Sequence, residues 1–292
     1  MSTEDDFENF AYTLLSAREE QMVLGPAECA AFEKLDSFAS AYGTVREMTK
    51  IMSSLGKPVG WKCGATAPHF QKNLRISKPF VAPLFEKRMF ESPLGINAIA
   101  EHVNIVEAEF AVVMGSSLPP RDVPYVAEDI WKSIALIAPA IEIVGSRFSK
   151  SNTFQKVADG GSNVSCSLGP FLKAADCSRN LDQMQVQFLV NGKEVARGSG
   201  ANVLEHPINS LVFLANELVQ EKLSTNHSSW GSTVPGLQAG DIVMTGAASM
   251  LFIGKDFLVG DTIVAKFGDD VTGGQSGLGH VTVHLNGGDS KL

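Results

Sequence analysis

The sequence predicts an α+β protein, with a helical N-terminal arm over residues 1–57 followed by a β-rich domain over residues 58–292. Three observations carry this. Apolar residues recur at helical spacing through the first 57 residues. From Val59 onward, short β-like runs are punctuated by Gly, Pro and Asp. Within that second part, Asn191-Gly192, the dipeptide favoured in two-residue hairpin turns, separates two strand-like runs.

In the arm, Phe7, Phe10, Ala11, Leu14 and Leu15 mark one face of a helix from about Ser2 to Glu20, with Ser2 or Thr3 available as N-cap. A second helical pattern starts near Pro26, runs through Phe32, Leu35, Phe38 and Ala39, and is interrupted by Gly43. A third passes through Val45, Met48, Met52 and Leu55 until Gly56-Lys57-Pro58 stops it. Val59 to Gly64 then reads as a strand in which Lys62 faces opposite to Trp61 and Cys63. Val103–Met114 is a strand, Tyr125–Ile137 a helix begun after Pro124, and Ala140–Val144 a strongly apolar strand. Asp159–Asn163 is a loop by composition, Met184–Ala196 a hairpin, and His206-Pro207 opens a helix carrying Ile208, Leu211, Val212 and Ala215. Asp241–Thr245, Thr262–Phe267 and Val281–Leu285 complete the β-rich part.

Composition removes several functions. A formal net charge of -8 argues against a nucleic-acid partner, which needs a basic surface. Four scattered cysteines without a Cys-x-x-Cys suggest neither zinc ligation nor a disulfide framework. The N-terminus is acidic with no apolar region after it, and the run Ile134–Val144 is broken by Pro139 and Glu142 and too short for a bilayer. A cytoplasmic protein without a membrane partner is expected. No Gly-x-Gly-x-x-Gly, Walker loop or Gly-x-Ser-x-Gly elbow is present.

The chemistry gathers at carboxylates. Alternation along Val106-Glu-Ala-Glu-Phe110 puts Glu107 and Glu109 on one strand face, opposite Val106, Ala108 and Phe110. Glu142 interrupts so apolar a run that it must lie inside. Buried carboxylates that converge need a cation, and all-oxygen anionic ligation suits Mg²⁺ or Mn²⁺ better than zinc. His206, His280, His284 and Arg147 read as structural groups, Arg147 as an ion-pair partner near Glu142.

With those residues placed, the chain resembles the fumarylacetoacetate hydrolase superfamily, in its branch of 2-keto-4-pentenoate hydratases and 4-oxalocrotonate decarboxylases. The matching stretches, in order, are Trp61–Thr66, Leu84-Phe85, Glu107-Ala-Glu109, Ala140–Arg147, Ala158-Asp159, His206-Pro207 and Gly240–Gly246. The resemblance implies a mixed β-roll with flanking helices, usually assembled into homo-oligomers. It implies that Glu107, Glu109 and Glu142 hold one Mg²⁺ or Mn²⁺, that Lys62 lies beside the substrate, and that Thr245 helps seat the substrate carboxylate.

A small 2-oxo acid is then the expected substrate, with the metal acting as a Lewis acid and Lys62 as hydrogen-bond donor or proton carrier at a pKa lowered by burial beside a cation. Hydration of 2-hydroxypenta-2,4-dienoate is the first expectation. Decarboxylation of a 4-oxalocrotonate- or oxaloacetate-like acid, hydrolysis of an acylpyruvate, and a non-catalytic subunit that binds a 2-oxo acid are the alternatives. Where the hydratase branch carries Pro-Asp ahead of Leu-Phe, this chain has Pro79-Phe80. The proton-transfer role then shifts to another group such as Asp159, Glu86 or a metal-bound hydroxide.

Overall fold

Thr3 caps the first helix, α1 (Glu4–Glu19), by accepting from the Asp6 amide, while the Asp6 carboxylate accepts from the Thr3 amide. Two otherwise free N–H groups are thereby satisfied reciprocally. In the computed structural model, which describes residues 3–51, 55–223, 236–268 and 277–287, α2 (Pro26–Ala31) and α3 (Phe38–Ile51) follow. Gly43 does not interrupt the helical pattern as its type suggests. Helix α3 runs through it, because a Cβ there would lie 2.6 Å from the Phe7 ring of α1. The missing side chain lets the two helices approach, and that packing outweighs the roughly 1 kcal/mol a mid-helix glycine costs. Met52, expected on the last turn of the arm, lies outside the described residues.

The remaining elements are β1 (Pro58–Gly64), α4 (Pro68–Leu74), β2 (Phe80–Phe85), β3 (Met89–Glu91), β4 (Leu94–Asn97), β5 (Val103–Met114), α5 (Ala127–Ser133) and β6 (Ile134–Gly145). They continue with α6 (Thr153–Ala158), β7 (Asn163–Leu168), β8 (Leu172–Lys173), β9 (Gln185–Val190), β10 (Lys193–Ser199), α7 (Pro207–Leu223), β11 (Ile242–Phe252), β12 (Thr262–Phe267) and β13 (Gly279–Asn286). Of the expected helix over Tyr125–Ile137, only α5 forms. From Ile134 the chain pairs with β5, placing Ile137 across from Val112, and a loose 3.6-residue pattern yields to a buried sheet position. The hairpin between β9 and β10 turns on Asn191 and Gly192, whose φ values of 50° and 83° are those that a two-residue turn demands.

One sheet runs β2-β1-β11-β5-β6-β7-β3, with β8 also pairing with β6; the other runs β10-β9-β12-β13-β4. Both are mixed, since β1 lies parallel to β11, β3 to β7 and β4 to β13. Phe110 of the first sheet meets Phe267 of the second edge to face, centroids 5.2 Å apart. The apolar core is continuous from Leu14 and Tyr42 of the arm through Phe110 and Ile141 to Phe188 and Val283. No helix among the described residues is long and apolar enough to cross a membrane.

Candidate metal centre

Strands β5 and β6 pair antiparallel along most of their length, which places Glu107 directly across from Glu142. Glu109 projects from the same face of β5, two residues on. One carboxylate oxygen from each of Glu107, Glu109 and Glu142 lies within 4.8 Å of the others; Glu109 and Glu142 are fully buried and Glu107 half-buried.

Strand β11, between β1 and β5, breaks its register with β5 between Met244 and Ala247. That irregularity holds Thr245 and Gly246, and it frees the Gly246 N–H from the ladder to donate to Glu109 Oε2 at 2.7 Å. Gly246 sits at φ +100°, and a Cβ on it would meet Thr66 Oγ1 at 2.3 Å, so only glycine fits. The other oxygen of Glu109, Oε1, is buried without a hydrogen-bond partner. Thr245 is fully buried with its hydroxyl also unpartnered; the neighbouring cavity wall is made by Ala247 and Met250, not by Thr245.

On the far side of β11, Lys62 of β1 is 2% exposed. Its ammonium donates to Glu142 Oε1 at 2.5 Å and Oε2 at 2.7 Å. Asn163, at the start of β7, donates to Glu142 Oε1 at 2.8 Å. Three carboxylates thus face a single ammonium, leaving a formal charge of about −2 when all are ionised. Burial, then repulsion from Glu142, pushes the Glu107 carboxyl up to about 7, and burial with repulsion from Glu142 and Glu107 holds Glu109 well above the carboxylate range. Burial alone would lower the Lys62 pKa as expected. The attraction of Glu142, Glu107 and Glu109 outweighs it and holds the ammonium above the usual lysine range. Two excess negative charges, a buried orphan carboxylate oxygen and an all-oxygen donor set fit a hard divalent cation.

Lys62 and Glu107 reach the wall of a cavity of about 510 Å³. Phe80 forms another part of that wall. Its ring covers the backbone of Gly64, where a Cβ would lie 2.1 Å from it, and abuts Gly161. The position where the hydratase branch would carry an acid is therefore an aromatic surface packed beside Lys62. Neither substitute proton carrier stands in this wall. Asp159 is fully buried outside it, its carboxylate accepting from Arg18 Nη2 at 2.8 Å and Arg147 Nε at 2.8 Å. Arg147 accordingly pairs with Asp159 and not with Glu142, because the chain after β6 turns back toward the end of α6. Glu86 is exposed in the turn after β2, 3.9 Å from Lys57. His206 is structural as expected, accepting from the Ile208 amide at the start of α7.

Asn163 and Arg18 were not identified from sequence. Asn163 lay in a stretch legible only as a loop, and Arg18 stands on a helix face that shows no periodic signal for a buried charge. Arg18 donates to Asn163 O at 2.7 Å as well as to Asp159, and so ties the N-terminal arm to the residue that holds Glu142.

A profile of the fumarylacetoacetate (FAA) hydrolase C-terminal family matches residues 85–286. A 2-keto-4-pentenoate hydratase of Paraburkholderia phymatum is 28% identical, covering 96% of this chain and 98% of that protein. A 2-keto-4-pentenoate hydratase of Paraburkholderia xenovorans is 30% identical over 71% of this chain and 72% of its own. Among solved structures, 4-oxalocrotonate decarboxylase from Pseudomonas putida G7, complexed with magnesium and adipate, superposes with a TM-score of 0.80 at 23% identity, covering 97% of this chain and 98% of that one. This last likeness establishes the fold.

Proposed function

The chain belongs to the fumarylacetoacetate hydrolase family, and from that membership we propose that it is a divalent-metal-dependent lyase acting on a small 2-oxo acid. The observation that carries this reading is the convergence of Glu107, Glu109 and Glu142 against one buried lysine at the wall of a ligand-sized cavity. Glu107, Glu109 and Glu142 would hold Mg²⁺ or Mn²⁺. When bound, the ion supplies Lewis-acid polarisation of the substrate's 2-oxo group and charge stabilisation of the enolate that follows.

The protein's own groups do the rest. Lys62, positioned by Glu142 and the Gly161 carbonyl and held as an ammonium, donates a hydrogen bond to an enolate oxygen at the cavity wall. Phe80, Phe148 and Ile105 give the substrate's hydrocarbon an apolar wall. Hydration of a 2-hydroxy-2,4-dienoate is the favoured reaction, supported by a relative named for that activity that matches nearly the whole chain. Decarboxylation is the second reading. One observation favours it: among the described lining residues Glu107 is the sole carboxylate, and loss of carbon dioxide needs no further group to direct a water.

The test is Glu109→Gln, assayed by Mn²⁺ titration calorimetry and by turnover of 2-hydroxypenta-2,4-dienoate. Metal binding and turnover are expected to vanish together. The fold should persist, since the change removes a buried charge that Lys62 does not contact. Mn²⁺ affinity equal to that of the unmodified protein would sink the ligand assignment.

A further inference from the structure

Burial grades across the cavity. Lys62 is buried at one part of the wall, Lys156 on α6 is half-buried, and Lys150 is exposed where the cavity adjoins a surface cleft beside Cys29 and Glu33. The same wall carries the apolar side chains of Phe70, Leu74, Phe80, Phe148, Val144 and Met250. The ammonium groups of Lys150 and Lys156 make no ion pair or hydrogen bond with any described residue, although acidic residues outnumber basic ones by 32 to 24 in the chain. Glu107 is the sole acidic residue among the described lining residues, and it belongs to the carboxylate cluster. Among the described residues, two cations thus stand unpaired beside a cavity whose inner end is suited to a 2-oxo acid. Ser151, between them in sequence, adds a hydroxyl to the same wall. Unpaired lysines at the outer part of such a cavity match a ligand that carries its own second negative charge.

We propose that Lys150 and Lys156 form a distal anion subsite, so that the preferred substrate is a dicarboxylate: a 2-oxo acid whose hydrocarbon chain ends in a second carboxylate. This rests on the 2-oxo acid reading and narrows it. The apolar span accepts the chain, the inner end accepts the 2-oxo acid group, and the two ammonium groups take the terminal carboxylate as point charges.

The experiment compares 2-oxoadipate with 2-oxohexanoate, two unreactive six-carbon acids that differ only in whether the far end is a carboxylate or a methyl group. Binding of each to the full-length protein saturated with Mg²⁺ is measured by calorimetry. One charge-assisted contact corresponds to a preference of roughly 10- to 100-fold for 2-oxoadipate. Lys150→Met combined with Lys156→Met, which keeps the apolar stems, is expected to abolish that preference and leave 2-oxohexanoate affinity unchanged; the corresponding double Arg variant retains it. Equal affinity of the unmodified protein for the two acids overturns the distal subsite but not the 2-oxo acid reading. If neither acid binds, both readings are overturned.

Discussion

Replacing Arg18 with Met tests whether the helical arm supports the carboxylate cluster. Arg18 is 7% exposed and donates to Asp159 O at 2.6 Å, Asp159 Oδ1 at 2.8 Å and Asn163 O at 2.7 Å. Burial and the neighbouring Arg147 pull its pKa down to about 10, so it remains charged at neutral pH. Methionine keeps most of the apolar stem, so the loss is that of the guanidinium. Three charge-assisted bonds at about 1.5 kcal/mol each would sum to roughly 4.5 kcal/mol. Recovery of the guanidinium's own desolvation penalty, with Arg147 still neutralising Asp159, brings the expected cost to about 3 kcal/mol. At about 2–4 °C per kcal/mol for a chain of this size, the melting temperature falls by roughly 6–12 °C. Thermal and urea unfolding of the two proteins measure this. Because Asn163 also holds Glu142, Mn²⁺ affinity should weaken by about 10-fold in the same variant. A melting temperature within about 2 °C of the unmodified protein would refute the reasoning, since three buried bonds would then contribute almost nothing.

Two further outcomes follow from local geometry. Gly161 sits at φ +67°, and its Cβ would lie 2.8 Å from the Phe80 ring and 3.4 Å from Lys62 Cε, so Gly161→Ala should cost about 1–2 kcal/mol and displace the Phe80 ring at the cavity wall. Turnover is expected to drop by about 10-fold or more, and full activity would show that the site tolerates the shift. At the other end of the chain, Lys34 and the Thr3 amide lower the Asp6 pKa from 3.8 to about 2. A depressed carboxylate stabilises the fold above its unfolded pKa and loses that contribution as pH falls through the folded value. The difference in melting temperature between the protein and its Asp6→Asn variant should therefore be widest above pH ~4 and shrink toward pH ~2. A difference independent of pH over that interval would contradict the assignment.

Period-two alternation was sufficient to place Glu107 and Glu109 on one strand face, and the apolar flanks of Glu142 were sufficient to bury it. Capping by Thr3 and the turn at Asn191-Gly192 were equally legible, because each depends on residues only a few positions apart. Where competing preferences were close, local reading failed. Gly43 continues a helix because Phe7 needs the space, and Ile134–Ile137 extends because β5 offers it partners. Lys62 could be linked to the carboxylates only by resemblance, and Arg147 was legible as an ion-pair residue but its partner, Asp159, was not. Arg18 and Asp159, 141 residues apart, gave no local sign of meeting. The sequence by itself determined most helices and strands, which of their faces are apolar, that Glu107 and Glu109 share a strand face, and that Glu142 is buried. Tertiary structure decided the register that sets Glu107 against Glu142, the irregularity that aims the Gly246 amide at Glu109, and the exclusion of Asp159 from the cavity. The physical reason is range: propensity and periodicity act over a few residues, whereas the choice of a charge's partner depends on which distant strands become neighbours when the whole core is buried.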